Sequence, residues 1–317
     1  MSIATYIREI GRGKEGARPL TQAQAYDLFY QVLDGRVTDL EVGAFALAMR
    51  IKGESVAELS GFCQAAHERC LPLATDAPWV ALPSYNGARR LPNLTALLAL
   101  LLAQEGLQVL VHGNAPDGSR VASADIFHAL GLPFARDANE VRSAWSRQSP
   151  VFMSLDVLCP PLARLLDVRR VVGVRNSGHT VAKLLEPAHG APGLRVVNYT
   201  HPEYAKLLGA FLPSTRANAL LLRGTEGEPV ADPRRAPKLG VYLNGVLDAA
   251  LSSSAQEGVI TEMPLLPRGD DVTATAVYIQ AVVSGEKPAP APLLRQVDTI
   301  CRAVARLTQA AAREKTA

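Results

Sequence analysis

Residues 79–104 read Trp-Val-Ala-Leu-Pro-Ser-Tyr-Asn-Gly-Ala-Arg-Arg-Leu-Pro-Asn-Leu-Thr-Ala-Leu-Leu-Ala-Leu-Leu-Leu-Ala-Gln. A short apolar run, Trp79–Leu82, passes through a turn into a long apolar helical run, Leu94–Gln104. A buried strand followed by a buried helix is the repeating unit of a sheet layered with helices. The pattern continues downstream. Further strands are expected at Gln108–His112, Val171–Val174, Leu194–Asn198, Ala219–Leu222 and Gly240–Leu243, with helices at Ala122–Leu130, Pro202–Phe211 and Thr273–Val283. Pro288–Pro292 reads as a stiff linker to a C-terminal helix, Leu293–Ala312.

Upstream of Trp79 the pattern is purely helical. Ile3–Ile10 is amphipathic, and Gly11–Pro19 is a basic loop carrying Arg12, Lys14 and Arg18. Thr21 caps a helix from Gln22 to Leu33 that stops at Asp34-Gly35. Thr38-Asp39 opens the next, with Val42, Phe45, Ala46 and Met49 on one face, and Ser55 caps a third through Val56, Leu59, Phe62 and Cys63. The expected fold is therefore α/β: a small helical N-terminal domain, residues 1–77, and a larger α/β domain, residues 78–317, whose central sheet is flanked by helices.

The strand-to-helix turn is unusual. Where such a turn grips a phosphorylated sugar it is normally glycine-rich, so that backbone N–H groups close on phosphate oxygens. Here Pro83-Ser84-Tyr85-Asn86 precedes a single Gly87, and Arg89 and Arg90 follow. The turn is suited to anions but not to wrapping one small diphosphate.

Of 317 residues, 48% are hydrophobic and 20% charged, enough to bury a sizeable core. Lys and Arg number 33 against 30 Asp and Glu, a net charge of +3. The excess is clustered. Residues 164–195 hold Arg164, Arg169, Arg170, Arg175, Lys183 and Arg195 against Asp167 and Glu186, or 6 − 2 = +4. Residues 206–238 hold Lys206, Arg216, Arg223, Arg234, Arg235 and Lys238 against Glu226, Glu228 and Asp232, or 6 − 3 = +3. Basic patches on a near-neutral body favour a directed anionic ligand over general adhesion. The 4 cysteines form no CxxC pair and read as reduced thiols of a cytoplasmic protein. Met1–Gly11 lacks the apolar segment of a signal peptide, and the longest apolar run, Leu94–Ala103, is too short to span a bilayer, so no membrane partner is expected.

Three segments carry a family resemblance. The first includes Leu20-Thr21, Asp34-Gly35, Gly43-Ala44-Phe45, Lys52-Gly53-Glu54 and Gly61. The second is His112-Gly113-Asn114 with Ser123-Ala124-Asp125 and Ala129-Leu130-Gly131. The third is Val168-Arg169 with Gly173-Val174-Arg175. Together they resemble the anthranilate phosphoribosyltransferases. That resemblance implies a homodimer formed through helical domains, to which a mid-chain segment around residues 160–190 contributes.

The same resemblance shows what differs. The family's diphosphate loop, Gly-Thr-Gly-Gly-Asp, falls on Pro83-Ser84-Tyr85-Asn86-Gly87, and its Lys-His-Gly-Asn becomes Val111-His112-Gly113-Asn114. After Gly224-Thr225-Glu226-Gly227-Glu228, where a magnesium-binding Asp-Glu pair belongs, stand Pro229-Val230. Proline and valine supply no hard oxygen ligand. Asn93, Thr95, His112, Gly113, Asn114 and Arg120 remain as a degenerate ligand cleft, and Arg169 and Arg175 stand where the family holds its aromatic acid. The family's Phe-Asn-x-Leu-Gly-Pro-Leu run becomes Gly178–Leu184, which introduces His179 and Lys183.

The chain most resembles the non-enzymatic, YbiB-like branch of this family, which keeps the fold, lacks the enzymatic motifs and binds nucleic acid. The resemblance implies a protein with no catalytic residues, metal or cofactor that binds DNA or RNA with little sequence preference. The residues expected at the phosphates are Arg89, Arg90, Arg169, Arg170, Arg175, His179, Lys183, Arg234 and Arg235, with Tyr85 as a candidate for base stacking. Two alternatives stay open. One is a phosphoribosyl- or nucleoside-transferring enzyme of altered substrate that uses Glu226 and Glu228 for metal. The other is a small-molecule sensor built on His112, Asn114 and Arg169.

Overall fold

The computed structural model describes residues 2–13, 15–114 and 120–316; Lys14 of the expected basic loop lies outside them. The chain divides into two compact units: Met1–Leu71 with Leu155–Leu185, and Pro72–Ser154 with Glu186–Ala317.

The chain begins with α1 (Ala4–Ile10), α2 (Gln22–Leu33), α3 (Asp39–Lys52) and α4 (Val56–His67). The last three each open with a reciprocal capping box: Thr21 with Gln24, Thr38 with Glu41, Ser55 with Glu58. Each box satisfies two of the N–H groups a helix start leaves free, worth about 1 kcal/mol apiece. Phe29, Phe45 and Phe62 meet at the centre, with ring centroids 4.7 to 6.2 Å apart. Glu58 is fully buried. Its carboxylate accepts hydrogen bonds from the Lys52 ammonium at 2.7 Å and from the N–H groups of Ser55 (2.8 Å) and Leu20 (3.0 Å).

The chain then enters the second unit through β1 (Leu73–Thr75), β2 (Trp79–Ser84), α5 (Thr95–Gln104), β3 (Gln108–Gly113), α6 (Ser123–Ala129), β4 (Phe134–Ala135), α7 (Ala138–Ser146) and β5 (Val151–Ser154). It returns to the helical unit as α8 (Leu155–Leu158), α9 (Pro160–Val172) and α10 (Gly178–Ala182). It finishes in the α/β unit with β6 (Ala188–Gly190), β7 (Gly193–Tyr199), α11 (Pro202–Ser214), β8 (Ala219–Arg223), β9 (Leu239–Leu243), β10 (Val246–Leu247), α12 (Val272–Val283) and α13 (Ala291–Thr316).

The unit boundary falls at Leu71, ahead of residue 77, because β1 pairs in parallel with β6 and so belongs to the α/β unit. The expected strand Val171–Val174 is instead the end of α9. Proline at its first position starts that helix, buried Leu162, Leu165 and Leu166 hold it, and Gly173 ends it at φ 80°. Its β-branched tail is solvated rather than paired, with Val171 90% exposed.

The main sheet has 8 strands in the order β10-β9-β8-β7-β2-β3-β5-β4, parallel from β8 to β4, with β9 and β10 antiparallel. All of β2 is buried, as a central parallel strand requires. Pro83 is tolerated in it because β7 pairs only with Trp79–Ala81, so no ladder bond to β7 is lost. From β2 the chain moves to β3 on one side, while β7 and β8 lie on the other. The carboxyl ends of β2 and β7 therefore form a topological switch point, where sheets of this kind bind ligands. The turn after β2 and the turn after β8 both open at that edge.

Candidate functional site

The turn from β2 to α5 is shaped by its own backbone and by two carboxylates from the turn after β8. Gly87 has φ 67°, and a Cβ there would lie 2.9 Å from the Arg120 Cβ and 3.1 Å from the Val121 carbonyl oxygen. Only glycine fits that conformation and space. Asn93, fully buried, accepts the Thr95 N–H at 3.2 Å, and its amide donates to the Val121 carbonyl and the Ser123 hydroxyl.

Glu228, from the other turn, is fully buried against this one. Its Oε1 accepts the N–H groups of Asn86 at 2.9 Å and Gly87 at 2.8 Å. Its Oε2 accepts the Ser84 hydroxyl in a short hydrogen bond and the hydroxyls of Thr95 and Ser123 at 3.3 Å each. Glu226, two residues earlier, faces the second half of the turn. It accepts the N–H groups of Arg89 (3.2 Å), Arg90 (2.7 Å) and Leu91 (2.9 Å). The Arg120 guanidinium lies 3.9 Å from the same carboxylate and donates to the Gly87 carbonyl at 3.2 Å.

The two turns lock at a third point, where the Asn86 amide donates to the Glu226 carbonyl at 3.2 Å. Glu226 has φ 51°, a left-handed conformation that costs a non-glycine residue about 1–2 kcal/mol. Three charge-assisted hydrogen bonds, each about 1.5–3 kcal/mol, more than offset it.

The turn's N–H groups thus point at anions, and the anions are the protein's own. A metal cation does not fit either glutamate, since their oxygens are met by N–H and O–H donors whose positive ends face inward. Among the described residues no group of three or more His, Cys, Asp or Glu side chains could hold a metal ion.

Several expected site residues are elsewhere or unavailable. Tyr85 is buried, its hydroxyl 2.7 Å from the His112 Nδ1, so it cannot stack on a base. His112 is fully enclosed, and burial alone pushes its pKa down to about 3, leaving it neutral. It lies at the end of β3 with Gly113, whose Cα packs against the Ser84 carbonyl; Asn114 follows, half-buried.

His179 is not a basic surface residue. It is buried in α10 beside Asn176, and burial, with the Arg175 charge next, takes its pKa to about 3. Arg195 does not extend the surface cluster: it is a buried residue of β7 whose guanidinium lies 3.8 Å from Glu186. Of the remaining arginines, Arg89, Arg90, Arg169, Arg170 and Arg235 are exposed. Arg170 pairs with Asp167 and Arg234 with Asp232, each at 3.1 Å, while Arg175 and Lys183 are half-buried. Arg169, Arg170, Arg175 and Lys183 belong to the helical unit; Arg89, Arg90, Arg234 and Arg235 belong to the α/β unit.

Comparison with known proteins places this architecture. The helical bundle domain of the glycosyl transferase family matches residues 4–70, and the a/b domain of the glycosyl transferase family matches residues 87–315. The uncharacterized protein YbiB of Escherichia coli (strain K12) is 38% identical over 300 residues, covering 94% of this chain and 92% of its own length. An anthranilate phosphoribosyltransferase of Acidothermus cellulolyticus is 27% identical over 271 residues, 85% of this chain and 76% of that one. Among solved structures, anthranilate phosphoribosyltransferase from Thermus thermophilus superposes with a TM-score of 0.70 at 22% identity, covering 96% of this chain and 89% of that chain. The Saccharomyces cerevisiae enzyme in complex with PRPP and Mg does so with a TM-score of 0.61 at 12% identity, covering 97% and 96%. With both domains matched over most of its length, the chain belongs to the glycosyl transferase family that includes the anthranilate phosphoribosyltransferases.

Proposed function

We propose that this chain is a phosphoribosyltransferase-like protein that has given up transfer and binds nucleic acid, DNA or RNA, through backbone phosphates. The observation that carries the first half is the occupation of the β2–α5 turn by Glu228 and Glu226. A diphosphate approaching that turn meets two carboxylates where it needs N–H donors. Its repulsion from them grows as water is excluded. Loss of the loop, the lysine and the metal pair removes the positioning on which phosphoribosyl transfer depends.

The second half rests on charge. Arg89 and Arg90 are exposed beside the occupied turn, and Arg169, Arg170 and Arg235 add exposed positive charge. Guanidinium groups neutralise phosphates and release counterions without reading sequence. The apolar residues left outside on α3 support a homodimer. Leu40, Leu47 and Ile51 are 83%, 48% and 63% exposed, at spacings of seven and four residues that place them on one helix face.

The test is binding of a fluorescent single-stranded oligonucleotide across a salt series, with phosphoribosyl diphosphate plus magnesium as competitor. Affinity should fall steeply with salt, by a slope of about 0.7 per phosphate neutralised, and the competitor should have little effect. Arg89→Glu with Arg90→Glu, and separately Arg169→Glu with Arg170→Glu, should weaken binding while the protein stays folded. Absence of oligonucleotide binding, with turnover of the sugar diphosphate, would overturn the reading.

A further inference from the structure

Glu226 and Glu228 occupy the same turn but differ in access. Glu228 is sealed, with no exposed surface, and its oxygens serve a buried hydroxyl network. The Glu226 side chain is 18% exposed and the Arg120 side chain beside it 38% exposed. Its three partners are successive backbone N–H groups, those of Arg89, Arg90 and Leu91, two of them on exposed residues. Successive N–H groups converging on one anion form a nest of the kind that binds phosphate in many proteins. A carboxylate presents two oxygens on one carbon, and a phosphodiester presents two unbridged oxygens on one phosphorus, so the two compete for the same donors.

Resting on the nucleic-acid reading above, we propose that the N–H groups of Arg89, Arg90 and Leu91, with the Arg120 guanidinium, are a phosphate subsite that Glu226 occupies in the free protein. A phosphodiester oxygen of the bound strand takes the place of the Glu226 carboxylate. Glu226 is then an internal competitor that lowers affinity for isolated phosphates and leaves the subsite to ligands already held by neighbouring arginines. The subsite differs from the family's diphosphate loop, which corresponds to residues 83–87 and which Glu228 closes.

The test uses the full chain and two variants, Glu226→Ala and Glu105→Ala. Glu105 is exposed in the turn between α5 and β3, at the amino edge of the sheet, so its removal changes net charge equally far from the nest. Two probes are used: a fluorescent single-stranded oligonucleotide, and inorganic phosphate read by its effect on thermal unfolding. Removing an occupant that fills the nest about nine-tenths of the time or more should raise oligonucleotide affinity by at least about tenfold. Glu105→Ala should raise it less than twofold by the general charge effect. Phosphate should raise the unfolding temperature of Glu226→Ala and not that of the parent.

Equal oligonucleotide affinity in Glu226→Ala and the parent, or an equal gain in both variants, overturns the subsite while leaving the nucleic-acid reading intact. No oligonucleotide binding by any of the three proteins overturns that reading and, with it, the strand as ligand. The phosphate arm then decides whether the nest binds phosphate at all. Phosphate stabilisation of Glu226→Ala supports the nest, and its absence in a folded variant refutes it.

Discussion

Replacing Glu228 by alanine tests the central geometric claim, that an internal carboxylate completes the β2–α5 turn. Its removal leaves the N–H groups of Asn86 and Gly87 without their acceptor. The three hydroxyls suffer less, because those of Ser84 and Ser123 are 2.7 Å apart and can bond to each other. Two hydrogen bonds to a charged group, at about 1.5–3 kcal/mol each, set a loss of about 3–6 kcal/mol. That is a large part of the roughly 5–15 kcal/mol that holds a domain. Glu228→Gln keeps an oxygen for the two N–H groups and presents its amide to hydroxyls that can turn to accept it, so it should cost about 1–2 kcal/mol.

The assay is urea unfolding followed by a probe of the α/β unit, with chloride or inorganic phosphate as the added anion. The alanine variant opens a cradle lined by donors. Phosphate at ten times its dissociation constant should therefore restore about 1.4 kcal/mol, which chloride should not match. A loss below about 1 kcal/mol for alanine, or equal losses for alanine and glutamine, would refute the idea that Glu228 acts as a resident anion.

Three further outcomes are expected. Lys52→Ala strips a buried carboxylate, Glu58, of its counter-charge and should cost the helical unit about 3–5 kcal/mol in urea unfolding. Leu47→Glu with Ile51→Glu places charge on the apolar face of α3; on the homodimer proposed above, light scattering should show the mass of two chains for the parent and of one for the variant. His112 has its pKa near 3 rather than 6.5, so between those values the unfolded chain binds a proton that the folded chain does not. Its contribution is complete above pH 6.5 and falls as pH drops, by at most about 1.4 kcal/mol per pH unit. His112→Asn should flatten the acid limb of the α/β unit's stability curve.

The helix starts were legible because capping is local: Thr21, Thr38 and Ser55 each stand three residues before their Gln or Glu partner. Central strands were legible as apolar runs. Val171–Val174 misled because a β-branched cluster at a helix end has the composition of a strand, and only Gly173 in the left-handed region marks the stop. The strands β1 and β6 are too short to carry a pattern, and they find each other across more than a hundred residues. Arg195 looked like surface charge, yet it lies inside Leu194–Val197, a strand buried on both faces, which was the available clue. The loss of the glycine-rich loop could be read directly. What replaced it could not, since Glu228 and Gly87 are 141 residues apart in sequence and meet only through the order of β2, β7 and β8.

The helical unit is assembled from two stretches of chain that are made at different times. The first ends at Leu71 and the second is complete only at Leu185, an interval of 185 − 71 = 114 residues. At synthesis rates of about 5–20 residues per second, that is roughly 6–23 s on the ribosome. During it, Phe29, Phe45 and Phe62 can cluster, but the surfaces of α2 and α4 that α9 and α10 will cover stay bare. The nascent chain therefore carries an unfinished apolar face through the synthesis of β1 to β5. Slowing translation between those points lengthens its exposure to aggregation, and a fragment ending before residue 185 never closes it.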